Sequence, residues 1–373
     1  MGESQPPNST ATGQVSNKTN PAGLIVREAA PENLEFPFHT LANFITPVEQ
    51  FFVRNHFAVP PVTAQNWQLR IEGAVEQPLM LTLADLMQMP SHTQVVTLEC
   101  AGNSRAFLAP PAPGVPWALG AVGNAEWTGV RLATVLEHVG VKASALEIVL
   151  EGADQGEVKE EPRPPGQIHY ARSLPLAQLQ QSPVLLAYAM NGEPLPPAHG
   201  FPVRALIPGW YGMASVKWLT RIIVTEQPFQ GYFQTVDYAY WAQHDGLPPQ
   251  LVPITNMTVK AEIARPAAHE IVPANSTYHM YGAAWAGAVA IANVDVSSDG
   301  GATWQAANLL GEPVDHAWRF WEFFWQTPAT SGLYILMARA TDATGRTQPL
   351  THNPYHGRYL ISHVLPVPVE VVA

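Results

Sequence analysis

Apolar residues recur along this chain in two rhythms, and the change between them falls close to residue 246. Between residues 24 and 225, alternating runs predict strands at 67–72, 95–98, 146–150 and 203–207. Interleaved stretches with helical spacing predict helices at 83–88, 132–138 and 174–181, the second stopped by Gly140. An aromatic-rich connection, 229–241, follows. Beyond Gly246, Leu247, Pro248 and Pro249 the helical spacing disappears, and short alternating runs at 258–263, 277–283, 289–297, 316–326, 332–340 and 357–364 are separated by turn residues. That spacing is the pattern of an antiparallel sandwich. The expected organisation is an α+β domain over 25–245 and an all-β sandwich domain over 246–373. Residues 1–24 carry Ser, Thr, Asn, Pro and Gly with almost no large apolar side chains, so they cannot bury enough surface to offset their ordering entropy, and they read as a disordered tail.

Composition narrows the functional classes. The 373 residues carry 30 acidic and 19 basic side chains, a formal net charge of −11. Nucleic acid is excluded as an expected partner, because phosphate binding needs clustered basic surface. No run is long and apolar enough to span a membrane, and the start, Met1-Gly2-Glu3-Ser4, shows neither a basic segment nor a twin arginine. The expected location is cytoplasmic as the sequence is written, or periplasmic if an export signal has been removed. An acidic surface would steer a basic redox partner toward the protein.

The chain has one cysteine, Cys100, in the run Val95-Val96-Thr97-Leu98-Glu99-Cys100-Ala101-Gly102-Asn103-Ser104-Arg105. A lone thiol makes no intramolecular disulfide, so its value lies in packing, nucleophilic chemistry or metal ligation. A strand leading into it would hold the backbone rigidly, Gly102 permits a sharp turn beyond it, and Arg105 adds a positive charge that favours the thiolate. Paired zinc-ligand spacing is missing, and so is a Cys-x-x-Cys-His haem-attachment motif.

The run is similar to the metal-site segment of the sulfite oxidase family, whose Glu-Cys-Ala-Gly-Asn-x-Arg supplies the protein ligand to molybdenum. Three further stretches match the same family in the same order. They are Phe51-Phe52-Val53-Arg54-Asn55-His56, then His199-Gly200-Phe201-Pro202-Val203-Arg204 with Ile207-Pro208-Gly209 and Val216-Lys217-Trp218, and finally Val294 to Trp304. Ordered matches over roughly residues 36 to 365 are far more specific than any one motif. The resemblance implies a molybdenum-molybdopterin cofactor with no haem, an α+β cofactor domain, and an immunoglobulin-like domain that forms a homodimer contact. It implies Cys100 as metal ligand, and Arg54, Arg105, Trp117 and Tyr238 around the substrate. Phe52, Val53, Arg54, Asn55, His56, Asp154, His199, Arg204, Ser215, Val216 and Lys217 would face the pterin and its phosphate.

The implied reaction is oxidation of sulfite, or a related small oxyanion, to sulfate by oxo transfer, with electrons leaving to an external acceptor such as a c-type cytochrome or oxygen. Two departures bear on substrate choice. Ser104-Arg105 stands where many members carry two arginines, and whether Arg358 or His356 supplies a further pocket cation is open at this point. Two alternatives stay beside the main reading. The same site could act on a sulfur-compound intermediate, a sulfoxide or nitrate, or the chain could be a metal-free two-domain binding protein with Cys100 as a buried hydrophobe.

Overall fold

The computed structural model describes residues 18–243 and 246–373. Of the tail expected over 1–24, residues 1–17 lie outside the described residues; residues 18–24 form a turn that buries Leu24 and bridges Thr19 to Ile25. The expected domain boundary at 245/246 falls in the connection between strands Ala239–Ala242 and Gln250–Pro253, and Asp245 lies outside the described residues.

The first part is built on two five-stranded sheets. One holds Ser91–Glu99, Val122–Arg131 and Leu185–Met190, with short partners Glu193–Pro194 and Arg204–Leu206. The other runs in the order Leu79–Thr82, Gln68–Gly73, Leu219–Thr225, Glu147–Glu157, Gln167–Pro175. Its single parallel pair, Gln68–Gly73 with Leu219–Thr225, brings together segments about 150 residues apart. A hairpin, Ile25–Ala29 with Glu32–Glu35, packs in front, and the Glu35 carboxylate accepts from Ala118 N and Gly120 N at 3.0 and 2.9 Å.

Helix is scarcer than the sequence pattern indicates. Leu83–Gln88 forms as expected behind a Thr82 capping box, and Leu132–Val139 buries its apolar stripe before Gly140. The helix expected at 174–181 is corrected to a single turn, Gln178–Gln181. Leu174 instead pairs with Ile148 inside the sheet and is fully buried, so strand pairing overrides helical spacing there.

The second part is a two-sheet sandwich. Lys260–Arg265, Thr277–Trp285, Arg319–Gln326 and Asn308–Leu309 form one sheet; Ile271–Pro273, Val367–Val372, Gly332–Asp342, Ile291–Ser297 and Gln305–Ala306 form the other. Met280, Val294, Trp321, Leu336 and Val369 meet between them, all fully buried. The strand expected at 357–364 is corrected to an irregular segment. Leu360 has a left-handed φ of 53°, and its amide donates to Ala101 O at 3.0 Å, so this stretch leaves the sandwich and crosses the Cys100 loop.

Backbone approach between the first two strands of the sandwich needs a residue without a side chain. A Cβ on Gly282 would lie 1.9 Å from Glu262 O and 2.7 Å from the Trp321 ring. Gly282→Ala should therefore destabilise the protein by about 2–3 kcal/mol, read as a lower denaturant midpoint. An unchanged midpoint would show that these strands can part without cost.

Candidate functional site

The loop that carries Cys100 is held at its backbone. Cys100 N donates to Ala121 O at 2.8 Å, and Asn103 N returns to Cys100 O at 2.9 Å. The Asn103 side-chain oxygen accepts Ala121 N at 3.0 Å. Ser104 adopts a left-handed φ of 71° and donates its amide to Ala118 O at 2.7 Å. A Cβ on Gly102 would stand 2.1 Å from Arg105 Nη2, so glycine is what lets the guanidinium fold back over the loop. Arg105 then donates to Val115 O at 2.9 Å and Arg358 O at 3.0 Å, and lies 5.1 Å from the Tyr359 ring centre. Burial pushes the Cys100 thiol pKa up, while Arg54 and Arg105 pull against it.

Cys100 lines two cavities. The inner one has about 640 Å³ of empty space and the outer about 1070 Å³, figures that include space open to solvent at each mouth. Phe52, Arg54, Asn55, His56, Asp154, His199, Arg204, Ser215, Lys217 and Tyr238 line the inner cavity. Arg105 faces the outer cavity, which Arg54, His56 and Tyr238 also reach.

Charge is distributed unevenly around this space. Arg204 is buried and donates to the carbonyls of His199 at 3.1 Å and Ser215 at 2.9 Å. Lys217 donates to Ala198 O at 2.8 Å and to Asn55 Oδ1; Arg54 donates to Asn55 O and, at 3.5 Å, to Asn33 Oδ1. Among the described residues, none of Arg54, Arg105, Arg204 and Lys217 has a carboxylate within 4.0 Å. Burial pulls Arg204 down to about 9, and burial with Lys217 and Arg204 nearby pulls His199 down to about 3, which leaves that imidazole neutral. Asp154 Oδ1 is buried without a hydrogen-bond partner, and burial pushes its carboxyl up to about 7. Three arginines and Lys217, whose pKa burial and Arg204 pull well below the ordinary lysine value, with a neutral histidine and one orphaned acceptor suit an anionic ligand rich in ring N–H groups. A molybdopterin with its phosphate is such a ligand.

Several placements differ from expectation. Val53 exchanges both backbone hydrogen bonds with Leu34 and turns its side chain into the core. Val216, expected to approach the pterin through its main chain, accepts from Ala205 N with its carbonyl and donates to Ala214 O with its amide, and its side chain is buried in the core. Trp117, expected as a pocket wall, is fully buried in the apolar cluster around Cys100, with its Nε1 unpartnered, and lines neither cavity. His56 lines both cavities, but its Nε2 lies 2.7 Å from the Tyr238 hydroxyl, and its ring stacks on Tyr170 at 4.5 Å. Of the two candidates for a further cation, Arg358 lines the outer cavity, bonded to Asp237 at 2.6 Å and Glu160 at 2.7 Å. His356 instead meets Tyr240 edge-on at 5.3 Å.

Some contributors escaped the sequence reading. Tyr170 closes the inner cavity and donates to Met213 O at 2.7 Å. Fully buried Arg172 holds the carbonyls of Phe233 and Ile254 behind Tyr238. The signal for Arg172 is an arginine set inside the mostly apolar run Tyr170 to Leu174, which lies in the strand Gln167–Pro175 paired with Glu147–Glu157.

Residues 56–233 match the family described as "Oxidoreductase molybdopterin binding domain", and residues 252–356 match "Mo-co oxidoreductase dimerisation domain". The chain is 36% identical to mitochondrial sulfite oxidase of Mus musculus over 89% of its own length and 62% of that protein's. It is 35% identical to sulfite oxidase of Gallus gallus, covering 88% of this chain and 73% of that one. Nitrate reductase [NAD(P)H] of Hordeum vulgare is 32% identical over 92% of this chain and 41% of its own. The crystal structure of the sulfane dehydrogenase SoxCD from Paracoccus pantotrophus superposes with a TM-score of 0.79 at 26% identity, covering 97% of this chain and 92% of that one. The chain thus spans about 62% of the length of the mouse enzyme.

The Asp154 carboxyl has a measurable signature. Its folded pKa is raised, so the folded protein holds this proton more tightly than the unfolded chain, and stability is lost as pH rises from the ordinary carboxylate range toward about 7. In cofactor-free protein, Asp154→Asn should raise Tm more at pH 8 than at pH 5. An equal change at both values would place the ionisation elsewhere.

Proposed function

Because the chain belongs to the sulfite oxidase family of molybdopterin oxidoreductases, we propose that it oxidises sulfite: sulfite and water give sulfate, two protons and two electrons, the electrons passing to an external acceptor. The observation that carries this reading is the set of cations without carboxylate partners converging on the two cavities that share Cys100. When bound, the molybdenum cofactor supplies the two-electron oxo-transfer chemistry, with Cys100 as its thiolate donor.

The protein's share is holding and orienting. Arg204, Lys217 and neutral His199 would hold the anionic end of the pterin, and the unpartnered Asp154 Oδ1 would accept from its heterocyclic N–H edge. Arg54 and Arg105 gather the oxyanion on the outer side, where forked donors suit the several oxygens of pyramidal sulfite better than a point charge does. Burial, with Arg54, Lys217 and Arg172 nearby, drives the His56 pKa well below its usual value, so the ring is neutral. The tautomer with a proton on Nε2 donates to the Tyr238 oxygen and leaves the phenol proton free to point at substrate. Arg358, already engaged by Asp237 and Glu160, contributes less field than Arg105, whose partners are two carbonyls.

The sandwich, read as immunoglobulin-like, pairs two copies, and a c-type cytochrome or oxygen takes the electrons; the net charge of −11 favours a basic cytochrome. A second reading, a sulfane sulfur substrate, is favoured by the near full-length superposition on a sulfane dehydrogenase.

Protein made in a host that synthesises the cofactor should contain about one molybdenum per chain and reduce cytochrome c when given sulfite. Activity with a sulfane compound and none with sulfite would select the second reading. Cys100→Ser should abolish turnover, because a hydroxyl is a poor substitute for a soft thiolate; substantial sulfite oxidation by this variant would remove the metal-ligand assignment. Arg105→Gln should raise the sulfite KM by about ten-fold or more, the scale of a lost charge-assisted hydrogen bond. Unchanged steady-state constants would place the substrate elsewhere.

A further inference from the structure

The Glu-Cys run contains a residue that the proposed chemistry leaves unused, Glu99. In a strand, successive side chains point to opposite faces, so Glu99 and the residues flanking it diverge: Leu98 and Cys100 line the inner cavity, while Glu99 turns to the second domain. There it is 1% exposed. Its Oε2 accepts from Trp285 Nε1 at 2.9 Å, and its Oε1 accepts from Asn103 Nδ2 at 3.2 Å and Lys260 Nζ at 3.1 Å.

Lys260 opens the first strand of the sandwich and is fully buried. Its ammonium also donates to Ser104 Oγ at 2.8 Å and reaches Glu262 Oε1 at 3.2 Å. One buried cation from the second domain therefore grips residues 99 and 104, which bracket the cysteine loop. A buried charge with this many partners is rigid, because any displacement leaves a carboxylate or an ammonium uncompensated in a low dielectric. Partners of this kind, one step behind a ligand, orient the ligating atom.

We propose that Lys260 is a positioning residue for Cys100: docking of the second domain fixes the sulfur through Glu99 and Ser104. The proposal rests on the reading of Cys100 as metal ligand. A buried ion pair that serves packing alone would have the same contacts, so the test compares two members of one cluster. Lys260→Met removes the grip on the loop. Glu262→Gln weakens the same domain contact and keeps an amide oxygen able to accept the long 3.4 Å bond from Ser104 Oγ, so it leaves the Lys260 bonds to Glu99 and Ser104 in place.

Three readouts are taken on the full-length protein: Tm, molybdenum content, and the Mo(V) electron paramagnetic resonance spectrum after sulfite reduction. A fourth, the rate of Cys100 alkylation by iodoacetamide, is taken on cofactor-free protein. Lys260→Met should lower molybdenum content by roughly ten-fold, the order that outer partners of metal ligands command. It should also shift the spectrum of the remainder and change the alkylation rate several-fold. Lys260→Arg should recover molybdenum content, and Glu262→Gln should lower Tm while leaving the other readouts near wild type.

Wild-type molybdenum content and spectrum in folded Lys260→Met would overturn the proposal, as would readouts that follow Tm equally in both variants. If Lys260→Met does not fold, Ser104→Ala replaces it, with a smaller spectral shift expected and no shift overturning the idea. Absence of molybdenum from wild-type protein made in the competent host defeats the metal-site reading instead, and the alkylation comparison then decides the Lys260 claim alone.

Discussion

Burying several positive charges around one space is the constraint on which the rest of the site depends. Arg54, Arg204 and Lys217 converge on the inner cavity, and Arg105 stands on the outer side of the same cysteine. Like charges in a low dielectric repel, and among the described residues no carboxylate comes within 4.0 Å of any of these four, although Asp154 shares the inner cavity. The protein surrounds them with main-chain carbonyls, of Ala198, His199, Ser215, Val115 and Arg358, and with the side-chain oxygens of Asn33 and Asn55. Carbonyl dipoles lower the cost of each cation without cancelling its charge, so attraction for an incoming anion survives. Burial, with this field added to it, keeps His199 and His56 neutral.

Such an arrangement needs a backbone that cannot relax, and this explains why strands and pinned turns, rather than helices, supply the site. Val53 gives both its backbone groups to Leu34, which fixes Arg54 and Asn55 beside it. Arg204 begins a three-residue strand whose Ala205 amide bonds Val216 O, so the Arg204 and Lys217 segments are tied together one residue from each cation. The segment after Pro354 closes the outer side: Arg358 O holds Arg105, and Leu360 N holds Ala101. Elements from the hairpin, both sheets and the loop leaving the sandwich thus meet within a few residues of Cys100. None could be removed without freeing a charge.

What the sequence revealed and what it hid follow from the same physics. The Cys100 loop was legible because its chemistry is compressed into seven consecutive residues, and Phe51 to His56 and His199 to Arg204 were legible for the same reason. Within those runs, the side-chain direction was not. Val53 and Val216 belong to matched segments but face the core, because adjacent residues on extended backbone point opposite ways. Tyr170 and Arg172 were hidden because each acts through partners 43 to 82 positions away, at Met213, Phe233 and Ile254. The segment 357–364 alternates like a strand, yet its amides bond locally (Gly357 to Pro354 O, Tyr359 to His356 O), to Pro349 O (Val364) and to Ala101 O in the first domain (Leu360); periodicity carries no information about which neighbour takes a hydrogen bond.

The two signs of charge are used at different distances. The chain carries an excess of 11 negative charges, yet the lining of its cavities holds arginines and a lysine that lack carboxylate partners. Exposed charge acts over no more than about 8 Å at physiological salt, which suffices to bias the encounter with a partner but is weakened as salt rises. Charge facing a narrow, largely protein-walled space is screened far less and acts on whatever enters. Anion capture and partner encounter can therefore be tuned separately in one small protein. A net negative chain is thus compatible with a positive lining at the two cavities that share Cys100.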